Sequence, residues 1–244
     1  MNEAARTRIN TTPPCDLAIK PQNQYLPKER SRSGNWPVVL FDLDGTLADS
    51  IALIVESYQY AFRTVSGREL TATKARSWIG QTLPTTFQRE DRERADELER
   101  VYRAYNAANV TKIVGYPGVR EFIQQLNVAG VRPGVVTSKR SAMTLETLQL
   151  VGLVELVDVV VTMEDTARHK PAPDPLLRAF EKLGTTRERC VYVGDAVWDV
   201  QAAHAAGTAA IAVTWGAGTR SELESAMPEF ICDSVAELDS VLFS

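Results

Sequence analysis

Two carboxylates stand one residue apart at the point where an apolar run of the chain ends. Residues Val38 to Phe41 are apolar, Asp42 and Asp44 follow, and Gly45 then allows the chain to turn. A buried parallel strand reads as an unbroken apolar run, and open parallel sheets bind ligands at the carboxyl ends of their strands. Two acids in such a place repel each other unless a cation or a shared proton offsets their charge. The pair therefore predicts a metal-assisted site.

Further polar groups stand where later apolar runs end. Thr137 and Ser138 follow one run, Asp195 follows another with Asp199 four residues on, and Lys170 lies in a loop before a predicted helix. The aspartates supply hard oxygen ligands, which suit Mg²⁺. The threonine hydroxyl and the lysine ammonium suit phosphate oxygens. Together these groups predict a phosphoryl-transfer site, where positioning and charge neutralisation supply most of the catalysis.

The elements that must position these groups alternate between helix and strand from Gly118 onward. Strands separated by helices of about ten residues imply right-handed crossovers and a parallel sheet. The pattern therefore predicts an α/β fold with a Rossmann-like parallel sheet. The predicted strands after the first are Val131–Val136, Leu156–Val161, Cys190–Val193 and Ala209–Val213, and the predicted helices are Val119–Val128, Ser141–Leu150, Asp174–Leu183 and Trp198–Ala206.

A helical insert is predicted between the first strand and the rest of the sheet. One helix should begin after Ser50 and end near Gly67, a second should run over Thr71–Ile79, and Pro84 suits the first turn of a third. Trp78 is expected inside the insert. The stretch 88–105 predicts an exposed helix supported by opposite charges four residues apart. These pairs are Glu90 with Arg94, Asp96 with Arg100 and Glu99 with Arg103.

The chain thus divides into three predicted parts. Residues 1–35 have no repeating apolar pattern that could bury one face of a helix or strand, so we expect a disordered or loosely attached tail. Residues 36–50 and 115–244 form the predicted α/β core domain, and residues 51–114 form the helical insert. Two linkers, near 48–50 and 115–118, should join the insert to the core.

The composition of the chain limits the classes of function that the sequence supports. Of the 244 residues, 44% are hydrophobic and 24% are charged, with a formal net charge of −4. This charge gives no support for binding nucleic acid or an anionic membrane surface. No apolar run approaches the roughly 20 residues that span a bilayer, and the amino terminus lacks a signal-peptide pattern. The three cysteines are widely spaced, which predicts neither a zinc site nor a disulfide framework and favours a reducing, cytoplasmic location.

Four motifs now carry a family resemblance. DLDGT at Asp42–Thr46, the strand that ends in Thr137, Lys170 in HKPAPDP, and GDAVWD at Gly194–Asp199 resemble the four motifs of the haloacid dehalogenase (HAD) superfamily, in that family's order. The insert after the first motif resembles the superfamily's small α-helical cap domain. The resemblance implies a HAD fold, a Rossmann-like core with an inserted cap.

The resemblance also implies a role for each motif residue. Asp42 would attack phosphorus and form an aspartyl-phosphate, and Asp44 would protonate the leaving oxygen and then activate water. Thr137 and Lys170 would hold the phosphoryl oxygens. The Mg²⁺ ligands implied are Asp42, the backbone carbonyl of Asp44, and Asp195, with Asp199 completing or orienting the shell. Ser138, through its backbone N–H, and Gln81, in a turn of the insert, are further predicted substrate contacts.

Several activities share these motifs. The dehalogenase branch lacks the second motif aspartate, so Asp44 favours phosphate esters over carbon–halogen bonds. DGTLADS and VTWG at Val213–Gly216 look more like phosphoglycolate phosphatase and pyrophosphatase relatives than like hexose-phosphate mutases. We expect a Mg²⁺-dependent hydrolase of a small, phosphoglycolate-like phosphomonoester whose partners include neither nucleic acid nor a membrane. A pyrophosphatase, a sugar-phosphate mutase and a non-catalytic phosphate-binding regulatory module remain alternatives, and the oligomeric state stays open.

Overall fold

The computed structural model describes residues 35–243, and a six-stranded parallel sheet forms their centre. The predicted tail lies outside the described residues except for residue 35. The strands are β1 (Val38–Phe41), β2 (Ala48–Asp49), β3 (Val114–Gly115), β4 (Arg132–Val136), β5 (Val159–Val161), β6 (Cys190–Gly194), β7 (Ala209–Val213) and β8 (Phe230–Cys232). The large sheet has the order β5-β4-β1-β6-β7-β8, with every neighbouring pair parallel.

Strand β1 lies inside the sheet, and its register with β4 and β6 determines where the polar motifs meet. Phe41 lies opposite Val135 of β4 and Val193 of β6. Asp42, Thr137 and Asp195 follow within two residues of these three positions, so the register brings all of them to one edge of the sheet. All four residues of β1 are buried.

Helices cover both faces of the sheet. They are α1 (Ile51–Ser66), α2 (Ala72–Arg76), α3 (Leu83–Glu90), α4 (Ala95–Ala108), α5 (Val119–Val128), α6 (Ser141–Leu150), α7 (Asp174–Leu183), α8 (Val197–Ala206), α9 (Arg220–Ser225) and α10 (Val235–Leu242). Val39 and Phe41 pack with α5 and α10, whereas Val38 and Leu40 pack with α7 and α8. This alternation follows from the two-residue period of a strand. The predicted parallel α/β fold is confirmed.

Helices α1 to α4 have an apolar cluster of their own. The ring of Tyr58 lies 5.2 Å from that of Trp78 and 5.6 Å from that of Phe87. Trp78 is buried in this cluster, as expected. Helix α1 ends at Gly67, whose left-handed φ of 66° is the conformation that glycine adopts without strain. Pro84 stands in the first turn of α3. The helical character of residues 51–113 thus follows the sequence pattern.

The two predicted linkers pair with each other. Ala48 lies opposite Gly115, and Asp49 lies opposite Val114, in the antiparallel ribbon of β2 and β3. The chain therefore enters and leaves the insert through adjacent strands. The sequence pattern predicted linkers near 48–50 and 115–118, but it gave no sign of this pairing because each strand is two residues long.

The single helix predicted over 88–105 was wrong. Helix α3 ends at Glu90, the next residue, Asp91, has φ −159° and ψ 80°, and α4 begins at Ala95. The turn lets α3 pack against α4, with the rings of Phe87 and Tyr102 6.0 Å apart. In one continuous helix these residues would stand about 22 Å apart. Residues 88–94 contain no apolar side chain that could hold a helix in place there.

Two of the three predicted ion pairs change partner as a result. Glu99 does pair with Arg103, four residues on. Arg94 pairs instead with Asp91, at 3.6 Å, and Arg100 pairs with Glu97, also at 3.6 Å. The first change follows from the helix break, since Glu90 and Arg94 no longer share a helix. The second change occurs because, on a helix, a side chain is close enough to form an ion pair with the side chain either three or four residues away.

One strand of the sheet was missed. Strand β8 pairs in parallel with β7, with Ile231 opposite Ala212, whereas the sequence pattern ended the sheet at Ala209–Val213. The strand has three residues, and only Cys232 is buried. Such a short, half-exposed edge strand is not long enough to show a distinct alternation of apolar and polar residues in the sequence. Within the part of the chain that the structure describes, no helix is long and apolar enough to cross a membrane.

Candidate active site

Three buried aspartates meet at the carboxyl edge of the sheet. Asp42 follows β1, Asp195 follows β6, and Asp199 lies in the first turn of α8; each is at most 3% exposed. One oxygen from each carboxylate lies within 4.8 Å of the other two. Asp42 Oδ1 is buried and has no hydrogen-bond partner among residues 35–243. An unpartnered buried oxygen among carboxylates fits a hard divalent cation such as Mg²⁺. The residues present therefore suit the predicted metal.

Lys170 is the cation of this group, although it comes from a loop rather than a strand end. Its Nζ lies 3.0 Å from Asp42 Oδ2 and 2.6 Å from Asp199 Oδ1. It also donates to the Tyr192 hydroxyl at 3.1 Å, and that hydroxyl donates to the Val136 carbonyl at 2.8 Å. One ammonium cannot neutralise three carboxylates, so the cluster keeps an excess of negative charge that a divalent cation would offset.

Burial dominates the protonation of the cluster. Desolvation raises the pKa of Asp42 to about 7; the charge of Lys170 opposes this shift, and the Asp199 carboxylate adds to it. Burial and the same neighbouring carboxylate raise the pKa of Asp195 well above its usual range. Burial disfavours the charged form of Lys170, but the two carboxylates beside it raise its pKa above the ordinary value. The lysine therefore stays charged, while more positive charge nearby would favour the anionic forms of Asp42 and Asp195.

Asp195 is fixed from two sides. The Thr46 hydroxyl donates to its Oδ1 at 2.8 Å, and the Ala217 N–H donates to its Oδ2 at 2.6 Å. Glycines make room for this carboxylate. A Cβ at Gly45 would lie 2.2 Å from Asp195 Oδ2, and one at Gly216 would lie 2.3 Å from the same oxygen. Side chains at these two positions would displace the carboxylate, so the glycines of both loops are part of the site.

The Asp44 carboxylate lies apart from the three-acid cluster. Its Oδ1 accepts from the Ser50 hydroxyl at 2.6 Å and from Lys139 Nζ at 2.7 Å. Both donors bind the same oxygen, and Asp44 lines a cavity in front of Asp42. The side chain thus suits an acid–base role. Its predicted part in metal binding involves only the backbone carbonyl.

The remaining predicted residues lie around the same cavity. Thr137 is buried, and its hydroxyl accepts from the Lys139 N–H at 3.3 Å, which leaves the hydroxyl proton free to donate. The Ser138 hydroxyl donates to the carbonyl of Gly80 in the insert, at 2.7 Å. Gln81 lines the cavity, and its Oε1 accepts from Arg89 at 2.9 Å.

The cavity, of about 370 Å³, lies between the sheet edge and the insert. Lys170, Asp195 and Asp199 are buried and are not among its lining residues. The lining residues are Asp42, Asp44, Ile54, Tyr58, Ile79, Gly80, Gln81, Leu83, Tyr102, Arg103, Asn106, Ala107, Thr137, Ser138, Lys139, Arg140, Ala142, Met143, Met163 and Glu164.

Sequence reasoning missed several residues that hold the predicted ones, among them Thr46, Ser50, Lys139, Tyr192 and Ala217. Thr46 stands inside DLDGT and Lys139 directly follows Ser138, so both could have been singled out from the motifs. Tyr192 gave no signal, because a tyrosine in an apolar strand reads as a core residue. Ala217 acts through its backbone N–H, which side-chain identity does not reveal.

Comparison with known proteins gives the following likenesses. The model of the family described as haloacid dehalogenase-like hydrolase matches residues 39–213. Pyrophosphatase PpaX of Bacillus cereus (strain AH820) is 35% identical over 205 residues, which are 84% of this chain and 95% of that protein. The crystal structure of a predicted phosphatase from Clostridium acetobutylicum has a TM-score of 0.77 at 28% identity, covering 84% of this chain and 97% of that one.

A third likeness is one of fold alone. The crystal structure of a predicted phosphoglycolate phosphatase from Haemophilus somnus 129pt has a TM-score of 0.78 at 24% identity. The match covers 86% of this chain and 99% of that chain. The same arrangement of sheet and insert therefore occurs in both chains.

Proposed function

Because this chain belongs to the haloacid dehalogenase-like hydrolase family, we propose that it is a Mg²⁺-dependent hydrolase of a small phosphate ester that acts through Asp42. The family and the hydrolase class predicted from the motifs are confirmed by the family match. The mechanism, the metal and the substrate are the content of the proposal.

The position of Asp42 carries this proposal. One of its oxygens is held by Lys170 at 3.0 Å, the other has no hydrogen-bond partner in the described part of the chain, and the residue lines the cavity. A buried carboxylate beside a fixed ammonium, open to a cavity on one side, suits nucleophilic attack on a phosphoryl group. In the first step the Asp42 oxygen bonds to phosphorus, and the bond from phosphorus to the leaving oxygen breaks.

Neighbouring side chains supply the proton and the positive charge. Asp44 gives a proton to the leaving oxygen, then takes one from the water that hydrolyses the aspartyl-phosphate. Ser50 and Lys139 fix one oxygen of Asp44, which leaves the other oxygen for these transfers. Lys170 and the Thr137 hydroxyl hold phosphoryl oxygens, and the Ser138 N–H and Gln81 are proposed as further contacts.

Asp42, Asp195 and the backbone carbonyl of Asp44 are proposed to hold Mg²⁺, with Asp199 completing or orienting the shell. When bound, the ion supplies positive charge that keeps the acids anionic and offsets charge on the phosphoryl oxygens. Both oxygens of Asp199 already accept hydrogen bonds, from Lys170 and from the Ala196 N–H. This favours an orienting role for Asp199.

The insert, residues 51–114, is proposed to act as a cap domain over the core formed by residues 36–50 and 115–244. The insert supplies half of the cavity lining, from its helices and from the turn between α2 and α3, and the β2–β3 ribbon supplies adjacent linkers at which it can pivot. Closure would expel water from the site before the first step. Cys190 and Cys232 are buried free thiols, which is consistent with the cytoplasmic location that we also propose.

A phosphoglycolate-like monoester is the first substrate to test, and pyrophosphate is the second candidate. The second candidate is favoured by the 35% identity to pyrophosphatase PpaX. The four motif groups occupy one site, which supports turnover over a non-catalytic phosphate-binding module. An assay with a hexose phosphate distinguishes a sugar-phosphate mutase from a hydrolase.

The test is phosphate release from an aryl phosphate, phosphoglycolate and pyrophosphate, by protein treated with EDTA and then supplied with Mg²⁺. We expect release that depends on Mg²⁺, and we expect Asp42→Asn to lower it by more than about 100-fold. Asp158→Asn is the matched control, because Asp158 pairs with Arg132 on the surface. Near wild-type turnover by Asp42→Asn would reject the mechanism, and no release from any of the three compounds would reject the function.

A further inference from the structure

The insert presents one charged residue to the cavity. It contributes ten of the lining residues, and of these Arg103, on α4, is the one that carries a charge. Its neighbours in the lining include the side chains of Tyr58, Tyr102 and Asn106. A single cation on an otherwise uncharged wall favours an anionic group and disfavours a cationic one.

Four of the five charged residues that the core contributes to the lining form two ion pairs, and the fifth, Asp42, pairs with Lys170 outside the lining. Lys139 lies 2.7 Å from Asp44, and Arg140 lies 3.0 Å from Glu164, with all four residues in the lining. Arg103 differs from these two cations, since its acidic partner Glu99 is not among the lining residues. The insert side of the cavity therefore carries one positive charge whose acidic partner lies outside the lining.

The guanidinium of Arg103 is held in place. Its Nε and Nη2 both donate to Glu99 Oε1, one helical turn away. Its Nη1 makes no hydrogen bond with the part of the chain that the structure describes. The side chain is 26% exposed, so its charge acts with less screening than a fully solvated one. A fixed, partly buried fork with a free nitrogen is suited to a carboxylate or phosphate oxygen.

We propose that Arg103 binds a second anionic group on the substrate, so that the preferred substrates are phosphate compounds with a carboxylate or a second phosphate beside the scissile group. This inference rests on the proposed function, because it places the reacting phosphoryl group at Asp42. It makes Arg103 a specificity residue that contacts the part of the substrate that leaves.

The test compares substrates that differ in the charge of their leaving group. kcat/KM is measured with Mg²⁺ for phosphoglycolate, pyrophosphate, ethyl phosphate and phosphoethanolamine, which end in a carboxylate, a phosphate, a methyl and an ammonium group. For the wild type we expect phosphoglycolate or pyrophosphate to exceed ethyl phosphate, and ethyl phosphate to exceed phosphoethanolamine. Whichever anion is preferred identifies the second group as carboxylate or phosphate.

The same panel is then run with Arg103→Met and Arg103→Lys. We expect Arg103→Met to lower kcat/KM for the preferred anionic substrate by about 10- to 100-fold while ethyl phosphate changes less than about 2-fold. Arg103→Lys should recover part of the loss. Arg100→Met, on the same helix with an exposed side chain, is the matched control and should change neither value.

The result that overturns the proposal is an equal loss for anionic and uncharged substrates in both Arg103 variants, or a wild type that prefers ethyl phosphate or phosphoethanolamine. Turnover of ethyl phosphate separates this failure from failure of the proposed function. If ethyl phosphate is hydrolysed and Asp42→Asn abolishes that hydrolysis, the catalytic site stands even where the role of Arg103 does not.

Discussion

Arg76 Nε donates to the backbone carbonyl of Ala217 across 2.8 Å. A second nitrogen of the same guanidinium donates to the carbonyl of Gly216. Arg76 belongs to the insert, whereas the loop it contacts belongs to the core, and the N–H of Ala217 holds Asp195 at 2.6 Å. One side chain thus connects the insert to the loop that fixes an aspartate of the cluster.

Replacing Arg76 should therefore weaken metal binding at a distance. We expect Arg76→Ala to raise the Mg²⁺ concentration for half-maximal activity by about 5-fold, the worth of roughly one hydrogen bond. The measurement is a Mg²⁺ titration of phosphate release. Arg63→Ala, on an exposed part of α1, is the control. An unchanged Mg²⁺ requirement with unchanged kcat would show that the contact does not influence Asp195.

Lys139 should matter most when the leaving group needs a proton. Because Lys139 holds Asp44 at 2.7 Å, Lys139→Met should lower kcat for an alkyl phosphate by about 10- to 100-fold. The loss should be smaller for an aryl phosphate, whose phenolate leaves without an acid. Turnover of the two esters is compared with that of Lys182→Met, which removes a surface ion pair with Asp165. Equal losses on both esters would assign Lys139 a role other than positioning the acid.

Stability of the metal-free protein should fall as the pH rises. The pKa of Asp42 is raised from 3.8 to about 7 in the fold, so its contribution to stability is fully present below pH 3.8 and is lost as the pH rises through 7. Asp195 shifts in the same direction. In EDTA, Tm should decline between pH 5 and pH 7.5 in the wild type and less so in Asp42→Asn, and Mg²⁺ should restore the wild type.

The control for this measurement is Asp158→Asn, which should follow the wild type at every pH. Identical pH slopes of Tm in the wild type and Asp42→Asn, both without metal, would contradict the assignment of the raised pKa to Asp42.

The Tyr192 hydroxyl should contribute to stability more than its place in a strand suggests. Tyr192→Phe removes a donor to the buried Val136 carbonyl and an acceptor for Lys170. Loss of such a buried partner costs about 1–3 kcal/mol of the free energy of unfolding. Denaturant unfolding compared with Tyr60→Phe, where the ring is partly exposed, measures the difference. A change below about 0.5 kcal/mol would show that other groups satisfy both partners.

The sequence predicted the parts of the fold that repeat, and it singled out the aspartates that the structure brings together at the sheet edge. Helices α5, α6 and α7 have the predicted bounds, because a glycine follows within two residues of the end of each helix, and α5 and α7 also have a clear apolar period. The aspartates were found because carboxylates at the end of a buried apolar strand are energetically unfavourable unless a cation or a shared proton offsets their charge. The sequence does not show Lys170 at 2.6 Å from Asp199, since no strand period sets the reach of a loop.

Other features depend on tertiary contacts. The break at Asp91 follows from the packing of α3 against α4, which local propensity does not contain. Strand β8 is too short to show a period, and its place depends on pairing with β7. The hydroxyl of Ser138 turned out to contact Gly80 of the insert, and a polar residue after a strand does not specify that partner.

The pairing of Ala48 with Gly115 has a consequence for the evolution of this chain. The two ends of residues 51–113 lie side by side, so the sheet meets the whole insert at one point of attachment. A different insert, or a short turn, could join the same two positions without changing the order of any strand in the sheet. If the proposed roles hold, the acids at the sheet edge and the insert residues that contact the substrate are separate inheritable units, so the substrate range could change while the chemistry is retained.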